Sequence, residues 1–300
     1  MGLSHLARLR NLTAIVVAVA IQTFGVGEED RLPSLAIQRT EDGTEFGLFG
    51  DKPAAPAATL IVFAVGLQDM ESNRIYSDTG RFLAPHGWIT VAIDPPCHGA
   101  DRREGEPAGL DGWADRLKRG EDLMGPFTDR ARRVLDFLIR ERYTDPQRIA
   151  VSGTSRGGFC ALHFAAVEPR VATVSCVSPV TDPAILREFS GIDEPTIRPT
   201  TISSIASRLT DPAILITIGN DDARVGTPAC IAAAHSIINS HRARQSANTP
   251  NATRPPDTLI PVELIVAPSP GHRAIDNAYE LAAKFILRRG REKTEERSEK

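Results

Sequence analysis

Six short apolar runs constrain this chain most: "TLIVFAV" (59–65), "WITVAID" (88–94), "RIAVSG" (148–153), "VATVSCVS" (171–178), "AILITIG" (213–219) and "VELIVAP" (262–268). Each is rich in β-branched residues, too short for an ordinary helix, and apolar without alternation, as a strand buried on both faces must be. Helix-period stretches lie between them. In 127–138, Phe127, Ala131, Val134, Leu135 and Leu138 fall on one face, while Arg133, Asp136 and Arg140 face the other way. Ile275, Ala278, Leu281, Phe285 and Ile286 form a similar stripe. Strands alternating with amphipathic helices predict an α/β fold, a mostly parallel sheet covered by helices on both faces. Upstream, "SLAIQRT" and "EFGLFG", split by the turn signal "EDG", predict an antiparallel hairpin and bring the strand count to eight.

The chain has 300 residues, enough to bury a large core. Its net charge of -3 provides no broad positive field for nucleic acid or an anionic membrane, which leaves small molecules as the expected partners. Arg8 and Arg10, the apolar run "LTAIVVAVAIQTF" and the small residues "GVG" at 25–27 follow the three-part plan of a secretory signal over residues 1–27. That run is short for a lasting membrane span, so the expected location is secreted or periplasmic, with a cytoplasmic protein and a packed or unstructured lead-in as the alternative. Residues 28–290 are read as the catalytic domain and 291–300, too charged to pack, as a disordered tail. Two stretches, 97–122 and about 183–210, break the alternation and are expected to be lids or mobile insertions.

The chemistry centres on "SGTSRGGFCALHF" (152–164). Gly153-Thr154-Ser155-Arg156-Gly157 satisfies G-x-S-x-G, between a predicted strand and a predicted helix. In a strand turning straight into a helix, the central residue is forced into an unfavourable conformation and a Cβ at position 153 or 157 would collide with neighbouring elements. A serine hydroxyl needs a base and an orienting carboxylate. Asp221 and Asp222 follow "AILITIG", and His272 follows "VELIVAP", both at the sheet edge where ligands gather in parallel folds.

With its nucleophile, acid and histidine in that chain order, the sequence resembles the α/β-hydrolase superfamily over most of residues 34–288. The "GTSRGG" elbow looks most like the dienelactone-hydrolase, acetyl-esterase and prolyl-oligopeptidase-like branches. The resemblance implies Ser155 as nucleophile, His272 as base and Asp222 as the orienting acid. Asp222 is preferred to Asp221 because Gly219, Asp222 and Val225 fill the G-x-x-D-x-x-V pattern of relatives. It also implies an oxyanion hole made by the backbone N–H of Arg156 and a donor after the third strand. Many relatives carry His-Gly there; this chain has Val65-Gly66, and the donor is assigned to the Leu67 N–H, with Gln68 as substitute. The activity implied is hydrolysis of small or medium carboxylic esters. A prolyl-oligopeptidase-like peptidase and a non-catalytic binding module on the same fold are the alternatives.

Other polar residues are expected to be structural. His98 resembles the His-Gly turn common after the fourth strand, His163 is read as a satisfied core or interface histidine, and Arg156 as a solvated or salt-bridged arginine, with a substrate-carboxylate binder as the alternative. Cys97, Cys160, Cys176 and Cys230 lack C-x-x-C spacing; Cys160 and Cys176 fall in apolar segments and are read as structural thiols, one or two disulfides being open. No cofactor and no metal is expected: His98, His163, His235, His241 and His272 show no paired ligand spacing, and the P-loop lysine is missing. Trp113 and Phe189 are read as packing residues rather than pocket walls.

Overall fold

The computed structural model describes residues 32–248 and 259–298. All eight predicted strands are present: β1 (Leu35–Arg39), β2 (Glu45–Phe49), β3 (Ala57–Phe63), β4 (Trp88–Ala92), β5 (Thr144–Thr154), β6 (Val171–Val177), β7 (Ala213–Asp221) and β8 (Val262–Pro270). They form one sheet in the order β1-β2-β4-β3-β5-β6-β7-β8. The β1–β2 hairpin and the β2–β4 pairing are antiparallel, and every other pairing is parallel. The hairpin closes through Gly43, whose φ of +83° suits glycine. The predicted signal segment at residues 1–27 lies outside the described residues. Among those described, no helix is long and apolar enough to cross a membrane.

Helices complete both faces: α1 (Leu67–Ser72), α2 (Asp78–Leu83), α3 (Gly109–Lys118), α4 (Gly125–Arg140), α5 (Arg156–Ala165), α6 (Glu194–Ile197), α7 (Ile202–Ile205), α8 (Thr227–Asn248) and α9 (Ala278–Ser298). β3 shows why its residues are apolar without alternation. Ile61 and Phe63 join the core built with α4, α5 and α8, while Leu60 and Val62 join the opposite core with Leu83 of α2 and Ile286 of α9. Side chains in a strand alternate between faces, so covering both faces requires apolar residues at successive positions. On α4 the predicted stripe is the buried one, Phe127, Ala131, Val134, Leu135 and Leu138 each being at most 1% exposed. The backbone of α9 stays helical to Ser298, across part of the charged stretch read as a tail.

The two stretches expected to be lids or mobile insertions are instead largely packed. In 97–122, α3 places Trp113 at full burial with its indole N–H donating to the Pro96 carbonyl at 2.6 Å. In 183–210, a series of short helical turns buries Phe189, Ile197, Ile202, Ile205 and Leu209 in the main core. Sequence periodicity misses the second segment because none of its turns is long enough to display it.

A buried ion cluster pins the first segment. Arg116 donates to Glu106 at 2.7 Å and to Asp101 at 2.8 Å, and Arg130 also binds Asp101. Hydrogen bonds from Arg116 lower the Glu106 carboxyl to about 2, against the opposing effect of burial. A carboxyl depressed in the fold stabilises it above the unfolded-state value and loses that contribution as pH falls toward the folded value. Removing one partner of such a buried pair costs roughly 3 kcal/mol. Glu106→Gln is therefore expected to lower Tm at neutral pH, and the gap from the parent protein to narrow as pH falls from 4.5 toward 2. A constant Tm difference across that range would remove the role assigned to this ion pair.

Candidate active site

Ser155 sits between the last residue of β5 and the first of α5, with φ +55° and ψ −118°. A non-glycine residue in that region costs about 1–3 kcal/mol and persists only when its surroundings impose it. Here they do. The Ser155 N–H donates to Val177 O at 2.9 Å, and its carbonyl accepts the N–H groups of Gly158 and Val180, each at 3.0 Å.

The flanking glycines answer a steric need. A Cβ on Gly153 would lie 2.1 Å from the Gly157 carbonyl carbon, and one on Gly157 would lie 1.8 Å from Phe63 O. Both obstacles are backbone and cannot swing away. Gly157→Ala is expected to destabilise the protein by about 4 kcal/mol or more, since β3 must part from α5. For a chain of this size that is a Tm fall of roughly 10 °C. A thermal melt unchanged within 2–3 °C (roughly 1 kcal/mol) would contradict this close approach.

Asp222 follows β7 and is 2% exposed. One carboxylate oxygen accepts the N–H groups of Arg224 at 3.0 Å and Val225 at 3.2 Å; the other lies 2.8 Å from His272 Nδ1. Thr227 fastens the turn, accepting from the Asp222 N–H and donating to Gly219 O. Gly219 brings the ends of β7 and β8 together, because a Cβ there would meet Ser269 Cβ at 2.9 Å. Asp221 is exposed and ends the β7–β8 ladder opposite Pro270.

His272 stands in the loop after β8. Its Nε2 lies 2.9 Å from Ser155 Oγ. The Arg273 carbonyl accepts hydroxyl hydrogen bonds from Ser178 at 3.3 Å and Ser269 at 3.2 Å, anchoring the loop. A carboxylate on Nδ1 requires the hydrogen there, so Nε2 presents its lone pair to the serine hydroxyl. Three residues from three strand ends thus share one hydrogen-bonded line.

Ser155 and His272 open on a cavity of about 510 Å³, with Val65, Tyr76, Leu110 and Tyr279 on its wall beside Arg156, Arg224 and Arg273. Arg156 is the first residue of α5, where the N–H has no helical carbonyl to bond, and the positive end of the helix dipole faces the same space.

The Leu67 assignment does not survive. Its N–H donates to Asp94 Oδ1 at 2.7 Å, and Leu67 itself is buried away from the cavity wall. Gln68 is exposed on α1 and is not on that wall either. Asp94 also accepts the Ala100 N–H at 3.0 Å, stapling the loop after β3 to the loop after β4, and burial pushes its carboxyl up. Sequence reading missed this residue although "AID" ends an apolar strand in a carboxylate, a cue that it needs nearby donors.

His98 is a turn residue, its Nδ1 2.7 Å from Pro96 O, and His163 is buried against Thr200 O at 2.8 Å. All four cysteines are buried and free, which removes the disulfide alternative. Burial pushes the Cys97 and Cys230 thiols up to about 12, so neither is a nucleophile near neutrality.

An eight-stranded sheet in this order, with a strained serine between β5 and α5, is the α/β-hydrolase fold. An esterase family model, described as "Putative esterase", matches residues 96–252, more than half of the sequence. The chain belongs to that family.

Solved structures agree on the fold. Acetyl xylan esterase 1 from Thermoanaerobacterium sp. JW/SL YS485 superposes with a TM-score of 0.59 at 16% identity, covering 86% of this chain and 88% of its own. The acetyl xylan esterase from Paenibacillus sp. R4 does so at 0.58 and 18% identity, covering 85% and 83%. Porphyromonas gingivalis dipeptidyl peptidase 4 gives 0.58 at 17% identity over 86% of this chain, which spans only 36% of that longer protein. No curated protein sequence matches the chain.

Proposed function

We propose that the protein is a serine esterase that cleaves small or medium carboxylic esters, with Ser155 as nucleophile, His272 as general base and acid, and Asp222 as the orienting carboxylate. The observation that carries this reading is the 2.9 Å approach of His272 Nε2 to Ser155 Oγ, with Asp222 on the far side of the ring. His272 removes the hydroxyl proton as Oγ attacks the ester carbonyl, and Asp222 stabilises the imidazolium. The tetrahedral intermediate collapses as His272 protonates the departing alcohol, leaving an acyl-serine. A water molecule deprotonated by His272 then releases the acid.

The negative oxygen of the intermediate needs donors, each worth about 2.7–4 kcal/mol. The Arg156 N–H at the start of α5 is one. With the Leu67 N–H bound to Asp94, the second comes from the Val65 stretch, which reaches the cavity wall at the end of β3. A cavity of about 510 Å³ suits an ester of modest size, consistent with a small-molecule substrate.

The test is hydrolysis of p-nitrophenyl acetate and its longer acyl homologues beside Ala-Pro-p-nitroanilide. Ester turnover that exceeds anilide turnover supports an esterase; the reverse order would make the protein a peptidase, and turnover of neither would leave a binding module.

A further inference from the structure

Arg224 and Arg273 stand on the cavity wall in ordinary circumstances. Arg224 donates to Glu188 at 2.7 Å, and Arg273 is exposed to water. Arg156 is different. Its guanidinium is half-buried, and among the described residues it has no carboxylate partner. NH1 lies 3.0 Å from His98 Nε2. His98 Nδ1 faces the Pro96 carbonyl at 2.7 Å, and a carbonyl can only accept, so the hydrogen sits on Nδ1 and Nε2 accepts from Arg156. Burial holds the imidazole below its ordinary value, so it is neutral and orients the guanidinium without cancelling its charge. The surroundings are shaped for this group: a Cβ on Gly109, which has φ +64°, would lie 2.8 Å from NH1.

A partly desolvated guanidinium with no carboxylate in direct contact is unfavourable, and an incoming anion would relieve that cost. We propose that Arg156 anchors a carboxylate carried by the substrate, so that the preferred esters of this cavity bear a free carboxylate besides the bond that is cleaved. The inference rests on the esterase reading of the same cavity. It is compatible with the fork geometry of arginine, since one N–H is used by His98 and other donors are left for a carboxylate.

The experiment compares monomethyl adipate with methyl hexanoate, matched in length and differing in the terminal carboxylate, by methanol release. Because a hydrogen bond to a charged group is worth at least about one decade, kcat/KM is expected to favour the anionic ester by roughly tenfold or more. Arg156→Gln, which keeps an N–H for His98 and removes the charge, is expected to erase most of that ratio, and Arg156→Lys to restore part of it. A ratio that is the same in folded Arg156→Gln and parent protein overturns the proposal and makes Arg156 a clamp for the His98 turn.

A second readout is independent of turnover. Adipate should raise the Tm of the Ser155→Ala protein, and the added Arg156→Gln change should abolish that rise. If Arg156→Gln does not fold, absence of any adipate-induced rise in Ser155→Ala overturns the proposal. If neither ester is hydrolysed while adipate still stabilises through Arg156, the anion site stands and the esterase reading falls.

Discussion

Ser155→Ala is expected to remove p-nitrophenyl acetate turnover, lowering kcat by about a millionfold, as loss of the nucleophile does in serine hydrolases of unrelated fold. The expectation follows from which hydroxyl on the cavity wall has a base beside it. Ser155 Oγ is the hydroxyl that His272 Nε2 approaches at 2.9 Å, and the cysteine thiols are buried. Removing Oγ leaves the cavity, the α5 dipole and the Arg156 N–H in place, so substrate would still bind. Alanine also relieves no strain at position 155, where φ is +55°, so the variant should keep the parent fold and a similar Tm. A fluorophosphonate probe should label the parent protein once, at Ser155, and leave the variant untouched. Full esterase activity in a folded Ser155→Ala protein would refute the mechanism outright.

The second large effect separates two adjacent aspartates. Asp222→Asn is expected to lower kcat by roughly 10⁴-fold, whereas Asp221→Asn should change it little. Asp222 is 2% exposed, and both its oxygens are occupied, one by backbone donors and one by His272 Nδ1. An asparagine held by the same two N–H groups must turn its amide nitrogen toward the ring, so Nδ1 becomes the acceptor and the hydrogen moves to Nε2. The base then has no lone pair to offer Ser155. Asp221 is exposed and lies outside this line. Equal losses for the two variants, measured as kcat on p-nitrophenyl acetate, would dissolve the distinction.

Much of the architecture was legible because burial on both faces leaves a signature that no loop or exposed helix shares. β3 had to read "TLIVFAV" to feed Ile61 and Phe63 to one core and Leu60 and Val62 to the other. The elbow was legible for a comparable reason: a Cβ at position 157 would lie 1.8 Å from Phe63 O, so Gly157 marks a contact with β3 across almost a hundred residues. Leu67 shows where local reading ends. Its position after the third strand was found, but its N–H is taken by Asp94, twenty-seven residues away, and nothing near Leu67 announces that partner. The stretch 183–210 hides its structure in turns of three or four residues, too short to show a period; the packing of 97–122 depends on Arg116 meeting Glu106 and Asp101, and that of 183–210 on Phe189 reaching the core.

From the linear chain alone came what local sterics and solvent exclusion dictate: strand and helix periods, glycines around Ser155, and an acid and a histidine trailing two later strands. Folding alone decided which polar groups meet. It joined His272 to Ser155 and Asp222, spent one backbone donor on Asp94, and set the Arg156 guanidinium on the cavity wall beside the His98 imidazole. Hydrogen bonds and ion pairs act over a few ångströms between residues that the chain holds far apart, so their partners are set by three-dimensional closure.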